Sequence, residues 1–283
     1  MGQGGCGVIC VYTCILGGFD NLRPPLVPPE PGVRFICFTD VPVLPDVPPW
    51  EFRPVHRVGD LCRSCNGVEV DKSRTSRLPK ILPHLVLPTD CDHSIWIDGN
   101  LQLAKPASEI VNAEMRFDDW AAHRHPARGC VYEEGALLKA LVRDKPEEWP
   151  NLNARELADE IDRYEVSGFP HGLGTLTANG IIIRRHTAAV SALNEAWWKL
   201  FAAGCGRDQL SFPVALSKST VTLNRMTHYH DIYTSPLVRF GWHAAWKDKP
   251  DNVQYRPERE RIAVRVERLR EVVGDGGYGW LKP

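Results

Sequence analysis

No run of about eighteen apolar residues, the length a helix needs to cross a bilayer, occurs in the sequence. The opening Met1-Gly2-Gln3-Gly4-Gly5 also lacks the basic and apolar regions of a secretory signal. The expectation is a cytoplasmic protein with no membrane span. Charge of one sign is missing as well: 34 Lys plus Arg stand against 35 Asp plus Glu, so no global field recruits nucleic acid or anionic lipid. No glycine fingerprint of the dinucleotide type follows a strand, and no G-x-x-x-x-G-K-[ST] occurs, which removes those two phosphate-binding devices. A dense carboxylate cluster of the kind two-metal hydrolysis uses is absent too. The nine cysteines are odd in number and scattered, and Cys10, Cys14 and Cys37 sit in apolar runs where a reduced thiol packs as a small hydrophobe. Cys62 and Cys65 have zinc-knuckle spacing but no second pair nearby.

What is there is globular material, 43% hydrophobic and 24% charged. A chain of 283 residues can bury a full core as one large α/β domain, with or without an appendage. The stretch Ser94-Ile95-Trp96-Ile97-Asp98-Gly99-Asn100-Leu101-Gln102-Leu103 organises it. Apolar strand-formers stop at an acid, a glycine and an amide, then resume in alternation. Such a strand delivers Asp98 and Asn100 to a sheet edge, where both offer oxygen to a hard cation such as Mn2+ or Mg2+. Gly99 lets a ligand approach the backbone. Read alone, the same residues make a strand and an Asx-type turn.

The neighbouring segments supply partners for that edge. Val8 to Leu16 forms a buried strand that runs into Gly17-Gly18-Phe19-Asp20, and glycines at such a strand end are where α/β proteins commonly seat a nucleotide. After a proline-rich connection, Val33 to Phe38 forms a second buried strand ending in Thr39-Asp40. An acid there accepts hydrogen bonds from a nucleobase or ribose, or caps a turn. A third, short strand covers Trp50 to Arg53. Arg74, Arg77 and Lys80 then bunch before the central strand, as diphosphate contacts or as the start of a solvated helix.

Further along, His123, Arg124 and His125 precede Pro126 and so line a loop or strand end, within reach of phosphate or acceptor. Glu133 and Glu134 open a helix, where capping and the helix dipole account for them unless one serves as a base. Short helices over 136–142 and 154–164 look structural, and the glycine-rich loop 168–174 is suited to covering a site. A turn and strand over 177–184 precede a long helix over 188–203, whose Val190, Leu193, Trp197, Leu200 and Phe201 share one face. Asp208 starts the next helix, as a cap or facing substrate beside Gln209. His228 and His230 lie two apart, on one face of an extended strand, where one imidazole completes the coordination of a cation on Asp98 and Asn100. A polar link leads to a final helix with Ile262, Val266, Leu269 and Val273 in a narrow stripe, which docks on the body or pairs two copies as a homodimer. The expected division is a domain over 1–245 and a linker with helix over 246–283.

As an ordered series, Val-Tyr-Thr-Cys-Ile-Leu-Gly-Gly-Phe-Asp, Phe-Ile-Cys-Phe-Thr-Asp, Ser-Arg-Leu-Pro-Lys-Ile-Leu-Pro-His, Ser-Ile-Trp-Ile-Asp-Gly-Asn, His-Arg-His-Pro and Arg-Asp-Gln-Leu-Ser-Phe resemble a glycosyltransferase-like domain family of bacteria and plants, related to nucleotide-sugar transferases of the GT-A type. The resemblance spans residues 8–245. It implies an α/β, Rossmann-like GT-A domain, with a mixed, mainly parallel sheet flanked by helices and a C-terminal helical appendage. It further implies a nucleotide-diphosphate sugar donor, UDP-linked by family analogy, and divalent-metal assistance. Carried onto this sequence, Asp98-Gly99-Asn100 takes the place of an Asp-x-Asp motif. Tyr12, Thr13, Gly17, Gly18, Phe19, Asp20 and Asp40 edge the nucleoside pocket, and Arg74, Arg77 and Lys80 hold the diphosphate. Asp208-Gln209 faces the sugar, and His228 or His230 is the late metal ligand. The departure is Asn100 in place of the second acid, and a neutral ligand binds a cation more weakly.

The activity so implied is hexosyl or pentosyl transfer to an acceptor hydroxyl. The acceptor stays open among glycan, lipid-linked sugar, protein, metabolite and modified nucleic-acid base. If the anomeric centre inverts, Asp208 is the base, with Glu133 or Glu134 behind it. If it is retained, Asp208-Gln209 stabilises the oxocarbenium-like centre. Two rival readings are a nucleotide-sugar-binding protein without turnover and a metal-dependent hydrolase or phosphotransferase.

Overall fold

The computed structural model describes residues 7–40, 46–55, 72–149, 151–172, 174, 176–229 and 231–241. Its strands are β1 (Val8–Ile15), β2 (Val33–Thr39), β3 (Trp50–Pro54), β4 (Cys91–Ile97), β5 (Leu101–Leu103), β6 (Trp120–Arg124), β7 (Thr177–Arg185), β8 (Leu223–Asn224) and β9 (Val238–Phe240). The helices used below are α1 (Lys72–Ile81), α2 (Pro83–Val86), α3 (Ala107–Glu114), α4 (Val131–Asp144), α5 (Ala154–Val166), α6 (Ala188–Ala202) and α7 (Asp208–Leu216).

Seven strands form one sheet in the order β3-β2-β1-β4-β7-β6-β8, and β5 pairs with β9 in a small second one. In the large sheet only β7 runs against the others, so the sheet is mixed and mainly parallel, as the resemblance implies. Strand β1 is buried on both faces, which explains its unbroken apolar run. Side chains alternate along it: Cys10, Tyr12 and Cys14 join Trp96, Trp120 and Ile182 beneath α1, α6 and α7, while Ile9, Val11 and Ile15 join Ile95, Ala121 and Ile183 on the opposite face, with α3 and the small sheet. A satellite core links α4, α5 and the first turns of α7 through Val131, Leu138, Leu157, Ile161 and Leu210. The long helix α6 buries Val190, Leu193, Trp197 and Phe201, the face expected from its spacing.

Chain order moves outward from β1 to β3 and then returns to the other side of β1 at β4. The crevice at the carboxyl ends of β1 and β4 is therefore the topological switch point, where open α/β sheets bind ligands. Because β7 is reversed, it brings its first residues, Thr177 to Gly180, to the same edge, paired near the last residues of β6. Cys62, Cys65, His230 and the whole 246–283 segment, with its apolar stripe and proposed pairing, lie outside the described residues. Among the described residues, Cys10, Cys14, Cys37, Cys91, Cys130 and Cys205 are buried unpaired thiols, and no helix is long and apolar enough to cross a membrane.

Candidate functional site

The edge is built first from backbone. Gly17 and Gly18 both adopt positive φ, 62° and 64°, a turn that a side chain opposes. The Gly17 N–H donates to Asp40 Oδ1 at 2.8 Å, which locks the ends of β1 and β2 together. Gly99 is enclosed: a Cβ there would stand 2.8 Å from Ile15 Cγ1 and 2.9 Å from Asp20 Oδ2. Gly17, Asp20, Asp40 and Asp98-Gly99 are thus gathered at one place, as the sequence suggested, with Phe19 projecting into solvent beside them.

Onto this edge α1 delivers Lys80. Its ammonium, 2% exposed, lies 3.2 Å from Asp98 Oδ1 and 2.7 Å from Asp208 Oδ2. The second contact is an ion pair without good hydrogen-bond alignment. Trp96 Nε1 donates to the same Asp98 oxygen at 2.8 Å, so Asp98 is oriented from two sides. Burial pushes the Asp208 carboxyl up, but Lys80 outweighs it, with Arg77 and Arg207 adding to the effect, and the group is held at about 2. Asp208 is therefore an anion at neutral pH, and it does not serve as the cap residue of α7. The turn before it is fixed by Trp197, whose indole N–H donates to the Asp208 carbonyl at 3.1 Å.

Beyond Asp208 the charges continue in alternation. Arg207 Nη2 donates to Gln209 Oε1 at 2.9 Å and stands 3.6 Å from Glu134 Oε1. Glu134 is buried, bound by Arg128 and 4.0 Å from His125 Nε2. Burial would raise its carboxyl, but the neighbouring Arg128, with His125 and Arg207, outweighs it and holds the group below the usual range. Glu133 instead accepts the Gly129 N–H at 2.7 Å, an ordinary role in a first helical turn. His125 Nδ1 accepts the N–H groups of Ala127 and Arg128, which shapes its loop.

Several expected residues go elsewhere. Tyr12 is a core residue: its hydroxyl accepts from Arg184 Nη1 at 3.0 Å, and burial pushes its pKa up to about 12. Thr13 is buried as well, and strand alternation turns it to the opposite face. Arg74 points away toward α5, binding Glu156 Oε2 at 2.5 Å and the Gly204 carbonyl at 3.0 Å, so it ties helices together. Arg77 is half-buried close to Asp208, and Arg124 is exposed at the end of β6. His123 is wholly buried against Tyr229, and burial pushes it down to about 4, so it is neutral. His228 sits in a turn rather than on a strand, and its Nε2 engages Glu114 Oε1 at 3.1 Å.

These placements decide the fit of a divalent cation. Asp98 Oδ1 is taken by Trp96 and Lys80, and the Asn100 amide donates to the Gly241 carbonyl at 3.0 Å, joining β5 to β9. His228 is engaged by Glu114, and the alternative ligand His230 lies outside the described residues. Among the described residues no group of three or more His, Cys, Asp or Glu is placed to hold a metal. Among the described residues, those expected as ligands are committed elsewhere and do not fit the expected cation.

The structure also adds residues that pattern reading missed. Arg184 is fully buried on β7, stacked over Trp120 at 4.1 Å, and donates to the Lys80 carbonyl at 2.6 Å. Burial lowers it to about 10. An arginine set directly against the apolar run Ile181-Ile182-Ile183, within the strand, was its signal. Arg128 and Arg207 carried none, since each looks like a solvated charge until Glu134 is seen beneath them.

The fold is similar to several solved structures. Mouse xyloside xylosyltransferase 1 in its apo form matches 77% of this chain and 84% of its own, with a TM-score of 0.44 and 11% identity. The WbbM bifunctional glycosyltransferase apo structure matches 76% and 38%, at 0.42 and 9%. Core-mannan synthase A from Aspergillus fumigatus, in an Mn/GDP form, matches 79% and 74%, at 0.39 and 8%. Likenesses this distant carry no activity across. No curated protein sequence matches the chain. Residues 65–239 match the family model described as TOD1/MUCI70, glycosyltransferase-like domain, a span that holds Lys80, Asp98, Glu134 and Asp208 but not β1 or β2. With more than half its length inside that model, the chain belongs to the TOD1/MUCI70 glycosyltransferase-like domain family.

Proposed function

We propose that the crevice at the ends of β1, β2 and β4 binds a nucleotide-diphosphate sugar and that the protein transfers the sugar to an acceptor hydroxyl. The observation that carries this reading is the Asp98–Lys80–Asp208 bridge at the switch point of the sheet, beside Gly17, Gly18 and Asp40. In it, the turn at Gly17-Gly18 and Asp40 receive the nucleoside, as at other strand ends of this kind. Arg77 and Lys80 face the diphosphate, while Arg74, committed to Glu156, does not.

The step is glycosyl transfer. The bond from the anomeric carbon to the diphosphate oxygen breaks with its electron pair going to that oxygen, and the acceptor oxygen bonds the anomeric carbon. A carboxylate held at about 2 is a poor acceptor for a hydroxyl proton, so Asp208 stabilises positive charge at the sugar, and the departing phosphate oxygen takes the proton. This favours retention of anomeric configuration, with Gln209 held beside the carboxylate by Arg207. Glu133 and Glu134 are occupied in the fold and take no part as bases. The donor base, the hexosyl or pentosyl class and the acceptor are left to experiment.

A thermal-shift panel of UDP-, GDP-, ADP- and CDP-sugars tests the reading, because a ligand that binds only the folded chain raises Tm. One donor should give a shift that disappears in Asp98→Ala, and should release nucleoside diphosphate on incubation. A shift without release leaves a binding protein without turnover. No shift with any donor overturns the reading.

A further inference from the structure

We infer that Lys80 is the protein's own counter-cation for the departing diphosphate, so that donor binding and sugar transfer proceed without a divalent metal; this rests on the nucleotide-sugar reading above. The ammonium is placed from several directions. Its helix is pinned by the Arg184 guanidinium on the Lys80 carbonyl at 2.6 Å, and its Nζ is drawn between carboxylates on β4 and α7. The side chain is 2% exposed and lies 5.5 Å from the Trp96 ring. A lysine ammonium has three donors. One is given to Asp98 in a hydrogen bond, while Asp208 holds the ammonium by charge without aligned donation, so donor capacity is left for a ligand.

The same geometry keeps a divalent ion out. A cation bound through Asp98 and Asp208 would have to displace a buried ammonium that already bridges them, against like-charge repulsion in a poorly solvated setting. The substitution at Asn100 fits this, since its amide has been diverted to the Gly241 carbonyl and serves the fold. Arg77 and Arg207 also act on Asp208 alongside Lys80, so the ammonium is not the sole cation that an anionic diphosphate meets beside this carboxylate. As the glycosidic bond breaks, negative charge grows on the leaving phosphate oxygen, and the Lys80 hydrogen bond to it strengthens with no proton leaving Nζ.

The test is calorimetric titration of UDP, GDP, ADP and CDP into the full chain, in EDTA and in Mn2+, with Mn2+ binding to the chain alone followed by the loss of its EPR signal. The inference expects one nucleoside diphosphate to bind with Kd equal, within about twofold, in the two buffers. It also expects no Mn2+ binding by the chain alone. Lys80→Met should weaken that nucleotide roughly ten- to hundredfold in EDTA, the scale of a lost charge-assisted hydrogen bond. If that variant does not fold, the wild-type comparison decides by itself. Binding seen only with Mn2+ overturns the inference and leaves the donor reading standing. Failure of every nucleotide in both buffers overturns the donor reading, and this inference with it.

Discussion

Lys80 Nζ stands 2.7 Å from Asp208 Oδ2, and the two side chains are 2% and 8% exposed. The pair joins the last turn of α1 to the first turn of α7, and by way of Asp98 it reaches the end of β4. Burying one such pair is costly unless both charges are satisfied, and here a second carboxylate and neighbouring guanidinium groups complete the arrangement. Charge that is expensive to bury and serves no packing need is the kind that active sites retain.

The depressed Asp208 carboxyl sets an acid limit on stability. Its folded value of about 2 lies below its ordinary 3.8, so the stabilisation is complete above pH 3.8 and disappears as pH falls toward 2. Urea unfolding of the wild type and Asp208→Asn should differ by about 2 kcal/mol at pH 6 and converge near pH 2. A constant difference across that range would contradict the pairing. With a donor identified, Asp208→Asn should lower kcat with little change in KM, since its anion matters most in the transition state.

Tyr12 is assigned to the core, and that assignment is separable from binding. Tyr12→Phe removes the acceptor of Arg184 Nη1 and should cost about 1 to 3 kcal/mol in chemical denaturation. Donor Kd should stay the same. A variant with native stability and weakened donor binding would return Tyr12 to the nucleoside pocket.

Glu133 and Glu134 adjoin in sequence yet should behave differently. Glu134→Gln leaves Arg128, Arg207 and His125 around a neutral group and should destabilise the fold by about 3 to 5 kcal/mol. Glu133→Gln loses a contact to the Gly129 N–H and should cost about 1 kcal/mol, with turnover retained. Abolished turnover in a stable Glu133→Gln would make it the base.

Gly99 tests the edge by volume alone. In Gly99→Ala the new methyl meets Ile15 Cγ1 at 2.8 Å and Asp20 Oδ2 at 2.9 Å, so the Ile15 and Asp20 side chains must shift. Stability should fall by about 1 to 3 kcal/mol, and donor affinity should fall further than that of Gly32→Ala, whose Cβ meets nothing within 4 Å. Equal effects on affinity would place the donor away from Gly99.

Much of the scaffold was legible in the chain. The β-branched runs at Val8–Ile15 and Val33–Thr39, the apolar face of α6 and the abrupt stop of β4 at Asp98 announce elements because burial and period leave a mark in local sequence. Asp40 and Asp98 could be singled out as charges beside strand ends, Lys80 within a basic cluster and Asp208 at a helix start. Their partners could not, since Lys80 meets a residue 18 positions on and Asn100 one 141 positions on. Strand alternation hid Tyr12 from the edge, a helix turn aimed Arg74 at Glu156, and a turn after β8 handed His228 to Glu114. Sequence by itself determined the apolar runs that form the core and the strands and helices that carry them, because the hydrophobic effect acts on local pattern. Only tertiary structure decided which charges meet, because electrostatic pairing depends on distance between elements that the chain brings together last.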